Sequence, residues 1–239
     1  MFDILVDKVR SNYSAKDEVC VSFLNPYSYY IGRKNRELYC NLDDIYIDGQ
    51  LMVRLLRLLG FKDLKRYSFD ATSLAPIVFK DSVDNNKPVY IIGAKPNEVP
   101  LAVESIEKEY CGINIIGFQS GYFKSAEHRD ETIENIIGLN PEVVLVGMGA
   151  VHQERFLIDL KSSGWTGAGY TCGGFLHQIT TGLEYYPQWI DRLNIRWAYR
   201  IYDEPKLFKR YFIEYPIAIV YILTDFIKFK FFNKKSNVA

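Results

Sequence analysis

Residues 139–155 read LNPEVVLVGMGAVHQER. Asn140-Pro141 is a turn pair, and behind it Val143-Val144-Leu145-Val146 is unbroken apolar sequence. A short apolar run bounded by turn signals reads as a strand covered on both faces. The run stops at Gly147-Met148-Gly149, and His152-Gln153-Glu154-Arg155 follows as the first turn of a helix. A core strand, a glycine turn and a helix form part of a βαβ unit, and ligands of such sheets sit at the carboxyl ends of the strands.

Outward from this stretch the pattern repeats. VCVSFL (19–24), VYIIGA (89–94), INIIGFQSGYF (113–123) and EVVLVGMG (142–149) read as strands. Residues 50–59 read as an amphipathic helix with Arg54 and Arg57 on its wet side; 96–111 and 128–139 also read as helices. The predicted fold is α/β: a Rossmann-like, mainly parallel sheet with helices on both faces. Three strand ends carry glycine, at Gly93, at Gly121 before Tyr122-Phe123, and at Gly147 and Gly149. Glycine there permits positive φ and close approach of a ligand, and a following helix N-terminus presents N–H groups to phosphate. Each could equally be a tight turn. None forms a GxGxxG or GxxxxGK[ST] fingerprint, which disfavours a dinucleotide or ATP enzyme.

The totals agree with one globular chain of 239 residues, 48% hydrophobic and 24% charged. A formal net charge of zero argues against a general nucleic-acid binder. Eighteen Tyr and 15 Phe fit either extensive aromatic packing or a sugar- or lipid-facing surface. Cys20, Cys40, Cys111 and Cys172 show no zinc or CxxC spacing and read as reduced, mostly buried cytosolic thiols. His128, His152 and His177 lack metal-ligand spacing, and the N-terminus is no secretion signal.

Several residues offer chemistry. In CNLDDIYIDGQL (40–51), Asp43-Asp44 reads as a solvated turn. Asp48, at a strand end before Gly49, reads equally as a general base or as the N-cap of the following helix. Ser22 and Asn25 could donate hydrogen bonds into the crevice, or Asn25-Pro26 could be only a turn. Past residue 164 comes a Gly/Thr-rich stretch around a short strand, GWTGAGYTCGGFLHQITTG, and then an aromatic, arginine-rich segment. In the tail, the apolar part from Tyr215 to Thr224 is about half the roughly twenty residues a bilayer span needs. With Lys228, Lys230, Lys234 and Lys235 beyond it, the tail reads as an interfacial segment, against a core helix with a frayed basic end.

Taken together, the chain resembles the WecG/TagA/CpsF bacterial glycosyltransferases, glycosyltransferase family 26. The matching residues are Asn25, Asp48-Gly49, Gly121-Tyr122-Phe123, LNPEVVLVGMGAVHQE, Gly173-Gly174-Phe175 and YYPQWIDRLNIRWAYRIYDEPKLFKRY. The resemblance implies metal-independent, inverting transfer of a sugar from a UDP-sugar to a polyprenyl-diphosphate-linked saccharide, without a cofactor, in cell-surface polysaccharide synthesis. It implies a Rossmann-like part over residues 1–190 and a C-terminal appendage over 191–239 that docks on the inner face of the cytoplasmic membrane; it leaves room for a homo-oligomer. By position, Asp48 is the base, and Gln153 contacts the donor. Ser22, Asn25, Glu154, Gly173, Gln178 and the three strand-end glycine loops join Gln153 in binding substrate. Arg196, Arg200 and Arg210 are expected near the diphosphates. Departures from the family pattern fall at Phe23, at Ala150-Val151-His152 and at His177-Gln178, and leave the donor open between an N-acetylhexosamine and a hexose. The alternatives are a non-catalytic nucleotide-sugar-binding subunit and, disfavoured by the missing fingerprint, an oxidoreductase.

Overall fold

The computed structural model describes residues 1–182, residue 190 and residues 196–236. Its strands are β1 (Val19–Leu24), β2 (Asp44–Ile47), β3 (Val89–Gly93), β4 (Ile115–Gln119), β5 (Val143–Gly147) and β6 (Ala168–Thr171). They form one sheet in the order β2-β1-β6-β5-β3-β4, with every pairing parallel. The expected α/β fold is the observed one.

Alternation along each strand sends side chains into two cores. Cys20, Leu24, Ile45, Ile47, Ile92, Val144 and Val146 pack on one face. Val19, Val21, Tyr46, Val89, Ile91, Leu145 and Tyr170 pack on the other. Helices α1 (Phe2–Lys8), α2 (Pro26–Gly32), α3 (Arg36–Cys40), α4 (Gln50–Leu58), α5 (Leu74–Asp84), α6 (Val99–Glu109), α7 (Ala126–Leu139), α8 (His152–Ser162) and α9 (Phe175–Gln178) connect and cover the strands. Burial on both faces is why strands such as Val143–Val146 carry no polar residue.

Two readings are corrected by the packing. Asp43-Asp44 is not a solvated turn: Asp44 lies in β2, is 2% exposed, and pairs with Arg10 and Lys16, while Asp43 bonds Lys161 and the Cys20 N–H. Asp44 tolerates burial because two cations meet it there. Only Cys20 and Cys172 are buried, whereas Cys40 and Cys111 are exposed, so half of the thiols rather than most lie inside.

Beyond the sheet, α10 (Arg196–Asp203) leads through a short helical turn and a π-helical stretch, Arg210–Glu214, into α11 (Tyr215–Ser236). Apart from Ile190, the YYPQWIDRLNI part of the closing block lies outside the described residues, and so does the far side of the expected 190/191 boundary. Helix α11 docks on α1 and α2. Ala218 and Ile222 are buried, and Phe226 and Phe229 meet Phe2 at 5.3 and 5.6 Å between ring centroids. One carboxylate locks this contact: Asp225 accepts from Arg33 Nε and Nη2 at 2.8 and 2.9 Å and from the Tyr29 hydroxyl at 2.7 Å.

Burial pushes the Asp225 carboxyl up, but Arg33 and Tyr29 outweigh it and hold its pKa below the ordinary value. A depressed carboxylate stabilises the fold above its unfolded pKa, and that contribution disappears as pH falls through the folded one. Asp225→Asn is therefore expected to cost about 2 kcal/mol at neutral pH. In denaturant unfolding the gap to wild type should close at acid pH, where the wild type protonates as well. A gap independent of pH would remove the ion pair from this role.

Candidate active site

Asp48 stands one residue past β2, its N–H bonded to Leu24 O at 2.8 Å. The residue capping α4 is Gly49, with no side-chain bond, so the N-cap reading of Asp48 falls away. Asn25 donates to that carboxylate while its Oδ1 accepts from Ser28 N–H at 3.0 Å in a capping box that starts α2. Asn25-Pro26 is thus a helix start that also aims an amide at Asp48.

A neighbour absent from the sequence reading completes this end. Arg66 bridges to Ile47 beside β2 and sets its guanidinium 3.5 Å from Asp48 and 2.6 Å from Asp70. Asp70 also accepts from Thr72 N–H and the Ser68 hydroxyl. Burial pushes Asp70 up, but Arg66 and these bonds hold it below the usual carboxylate range. Asp48 moves the other way: burial pushes its pKa up, Asp70 adds to this, and Arg66 and Arg200 only partly offset it. Its side chain is still 33% exposed. A carboxyl raised yet reachable is the state a general base needs. A clue lay in RYSFDATS (66–73), where Ser68 and Thr72 flank Asp70 with hydroxyls suited to a side-chain-closed turn.

At the next strand ends the predicted glycines divide. Gly93 and Gly147 pair across β3 and β5. A Cβ on Gly93, whose φ is +145°, would lie 2.4 Å from Gly147 O. Their emptiness admits a neighbouring strand end instead of a ligand. Gly121 packs equally tightly on Met148 and Gly93, and Phe123 stacks on Phe156 at 5.8 Å. Gly149 and Gly173 have open space beside them, and Tyr122 is 64% exposed. Ser22, Gln153, Glu154 and Thr171 are buried and bonded to one another. Ser22 and Glu154 therefore face protein rather than the crevice, and the N–H of Val151, opening α8, is taken by Glu154 at 2.6 Å.

The arginines after residue 195 close the other side. Arg196 donates to Thr72 Oγ1 at 3.0 Å and lies 3.7 Å from Asp70. The Arg200 guanidinium lies over Gly174, beside Gln178 Nε2; each would stand 3.6 Å from a Cβ there. Arg210 stacks over the Tyr27 ring at 4.2 Å. Arg200 and Arg210 act on Tyr211 and Tyr215, and so does Asp48, so α10 and the start of α11 share its electrostatic surroundings. Among the described residues His177, Asp203 and Glu204 have ligand atoms within 4.8 Å of one another. Glu204 there already pairs with Lys206 at 2.8 Å, and His177 with Glu98 at 3.1 Å. Burial pushes the Cys20 and Cys172 thiols up to about 12, which keeps both protonated at neutral pH and unfit as nucleophiles.

Comparison with known proteins places the sequence in a family. The model of the Glycosyl transferase WecG/TagA/CpsF family matches residues 2–231. The chain is 37% identical over 205 residues to UDP-Gal:alpha-D-GlcNAc-diphosphoundecaprenol beta-1,4-galactosyltransferase of Shigella boydii, covering 86% of each chain. It is 28% identical over 214 residues to N-acetylglucosaminyldiphosphoundecaprenol N-acetyl-beta-D-mannosaminyltransferase of Bacillus subtilis (strain 168), covering 86% of this chain and 80% of that protein.

Proposed function

The chain belongs to the WecG/TagA/CpsF family of glycosyl transferases, and from that premise we propose that it moves galactose from UDP-galactose to N-acetylglucosamine on a diphosphoundecaprenol carrier. The observation that carries the reading is the reachable, raised carboxyl of Asp48 between Arg66, Arg200 and the Asn25 amide. The more similar of the two relatives is named for a galactose donor, which favours the hexose side of the choice left open by the sequence.

The mechanism is one displacement. Asp48 takes the proton from the attacking hydroxyl of the acceptor sugar, and that oxygen enters opposite the departing UDP, so the anomeric centre inverts. Negative charge grows on the leaving diphosphate. Guanidinium forks suit phosphate oxygens, and Arg66, Arg200 and Arg210 supply that charge in a metal-independent reaction. The open loops at Gly149 and Gly173 provide the floor for the nucleotide, with the exposed Tyr122 at its edge.

A panel of radiolabelled UDP-sugars, offered with membranes carrying GlcNAc-diphosphoundecaprenol, tests the reading. Transfer to lipid is expected from UDP-galactose, well above UDP-N-acetylmannosamine, and unchanged by EDTA. Binding of UDP without transfer from any donor would instead mark a non-catalytic nucleotide-sugar-binding subunit.

A further inference from the structure

The loops after β5 and β6 meet over one buried carboxylate. Glu154 is 0% exposed. Its Oε1 accepts from the Ser22 hydroxyl at 2.7 Å and from Gln153 Nε2 at 3.0 Å, and its Oε2 accepts from Val151 N–H at 2.6 Å. Gln153 passes the connection on, because its Oε1 accepts from Gly173 N–H at 3.0 Å. Both ends of the Gln153 amide are thus occupied within the protein. Burial pushes the Glu154 carboxyl up, and the bonds from Gln153, Ser22 and the backbone N–H groups of Glu154 and Val151 only partly offset it; these donors are all neutral, so hydrogen bonds rather than an ion pair hold the group.

Strain marks the same place. Val151 has φ +75°, a region that β-branched residues avoid. Residues held so cluster where surrounding bonds over-determine them, and here the bond from Val151 N–H to Glu154 does so. The chain on either side opens beside Gly149, and the Gly173 end opens as well; neither glycine has an atom within 4 Å of its Cβ position.

We propose that Glu154 is a positioning residue for donor binding: too deep to touch a ligand, its carboxylate sets both rim loops on which the nucleotide rests. This inference rests on the transferase reading above. It makes a specific demand on chemistry. A carboxylate accepts at both oxygens, whereas an amide of the same shape accepts at one and donates at the other. With an amide at 154, either Val151 N–H or Gln153 Nε2 faces a second donor. Turning the Gln153 amide does not help, because Gly173 N–H then loses its acceptor. Exchanging the two groups does help. A carboxylate at 153 accepts from Gly173 N–H and from the new amide at 154, whose oxygen accepts from Val151 N–H and whose second proton goes to Ser22 Oγ.

The experiment compares UDP affinity by calorimetry in wild type, Glu154→Gln, and the exchanged pair Gln153→Glu with Glu154→Gln. Glu154→Gln should weaken UDP about tenfold, the scale of one buried donor left unmade, and the exchanged pair should return to within about twofold of wild type. Such recovery is not expected of a residue that only fills the core, since both variants keep its shape. Unchanged affinity in Glu154→Gln overturns the inference, and so does a loss that the exchange fails to recover. If Glu154→Gln does not fold, the exchanged pair decides alone: near wild-type affinity supports the inference, and a lost site overturns it. A wild type that binds no UDP removes the transferase reading, and this inference with it; a wild type that binds UDP while Glu154→Gln binds equally well removes only this inference.

Discussion

Asp48→Asn is expected to lower transfer by about 10²-fold or more, the usual scale for losing a general base, while folding and UDP binding persist. Asparagine fills the same space and can still bond Asn25, but it cannot accept the proton of the incoming hydroxyl. Stability should not suffer. Burial raises the Asp48 carboxyl, so the folded protein holds that proton more tightly than the unfolded chain does. For such a group, stability falls as pH rises through the window between the ordinary and the raised value. Removing the charge lifts that cost. The same shift predicts the acid limb of the rate profile. Transfer should rise with pH as Asp48 ionises, with an apparent pKa above that of an ordinary aspartate, and the Asn variant should lack this limb. Kinetics across acid pH decide it: near-normal turnover, or an acid limb retained without the carboxylate, would take the base role from Asp48.

The sheet was legible because parallel strands buried on both faces have to be mostly apolar: Val143–Val146 and Val89–Ile92 carry no charged or amide side chain, and Val19–Leu24 is broken only by Ser22. Asp48 was legible as an acid at a strand end. Its role as base or cap was not, since the choice turns on the backbone of Gly49, whose φ of +86° sets the helix entry. Arg66 and Asp70 escaped notice because pairing beside β2 brings them to the site, and that contact has no local pattern. Helix α2 was hidden behind Asn25-Pro26, a pair that signals a turn and a helix start alike. The position of Glu154 in HQER does not tell a ligand contact from a structural one. A helix turn reads the same whether its polar side chains face a crevice or lock two loops, and only the burial of Ser22 and Gln153 beside it distinguishes these.

Replacing Val220, Ile227 and Phe231 with serine together is expected to weaken binding to anionic vesicles by about 10²-fold, taking about 1 kcal/mol for each partly inserted side chain. These residues are 62%, 52% and 68% exposed and share one stripe of α11 with Ile217 and Leu223. The opposite side holds Ala218 and Ile222, both buried against the body. A helix apolar on both sides needs cover on both, and among the described residues the fold supplies it on one. Among the described residues no helix is long and apolar enough to cross a membrane, so the exposed stripe is proposed to lie in the interface. The exposed Lys228 and Lys230 add attraction to an anionic surface that salt should screen. The serine variant leaves Asp225 and the Phe2 contacts in place, so its unfolding should match wild type, unlike that of Asp225→Asn. Transfer to the lipid acceptor should fall with vesicle binding while UDP affinity holds. Undiminished flotation of the variant with vesicles would show that the stripe does not hold the enzyme at the membrane.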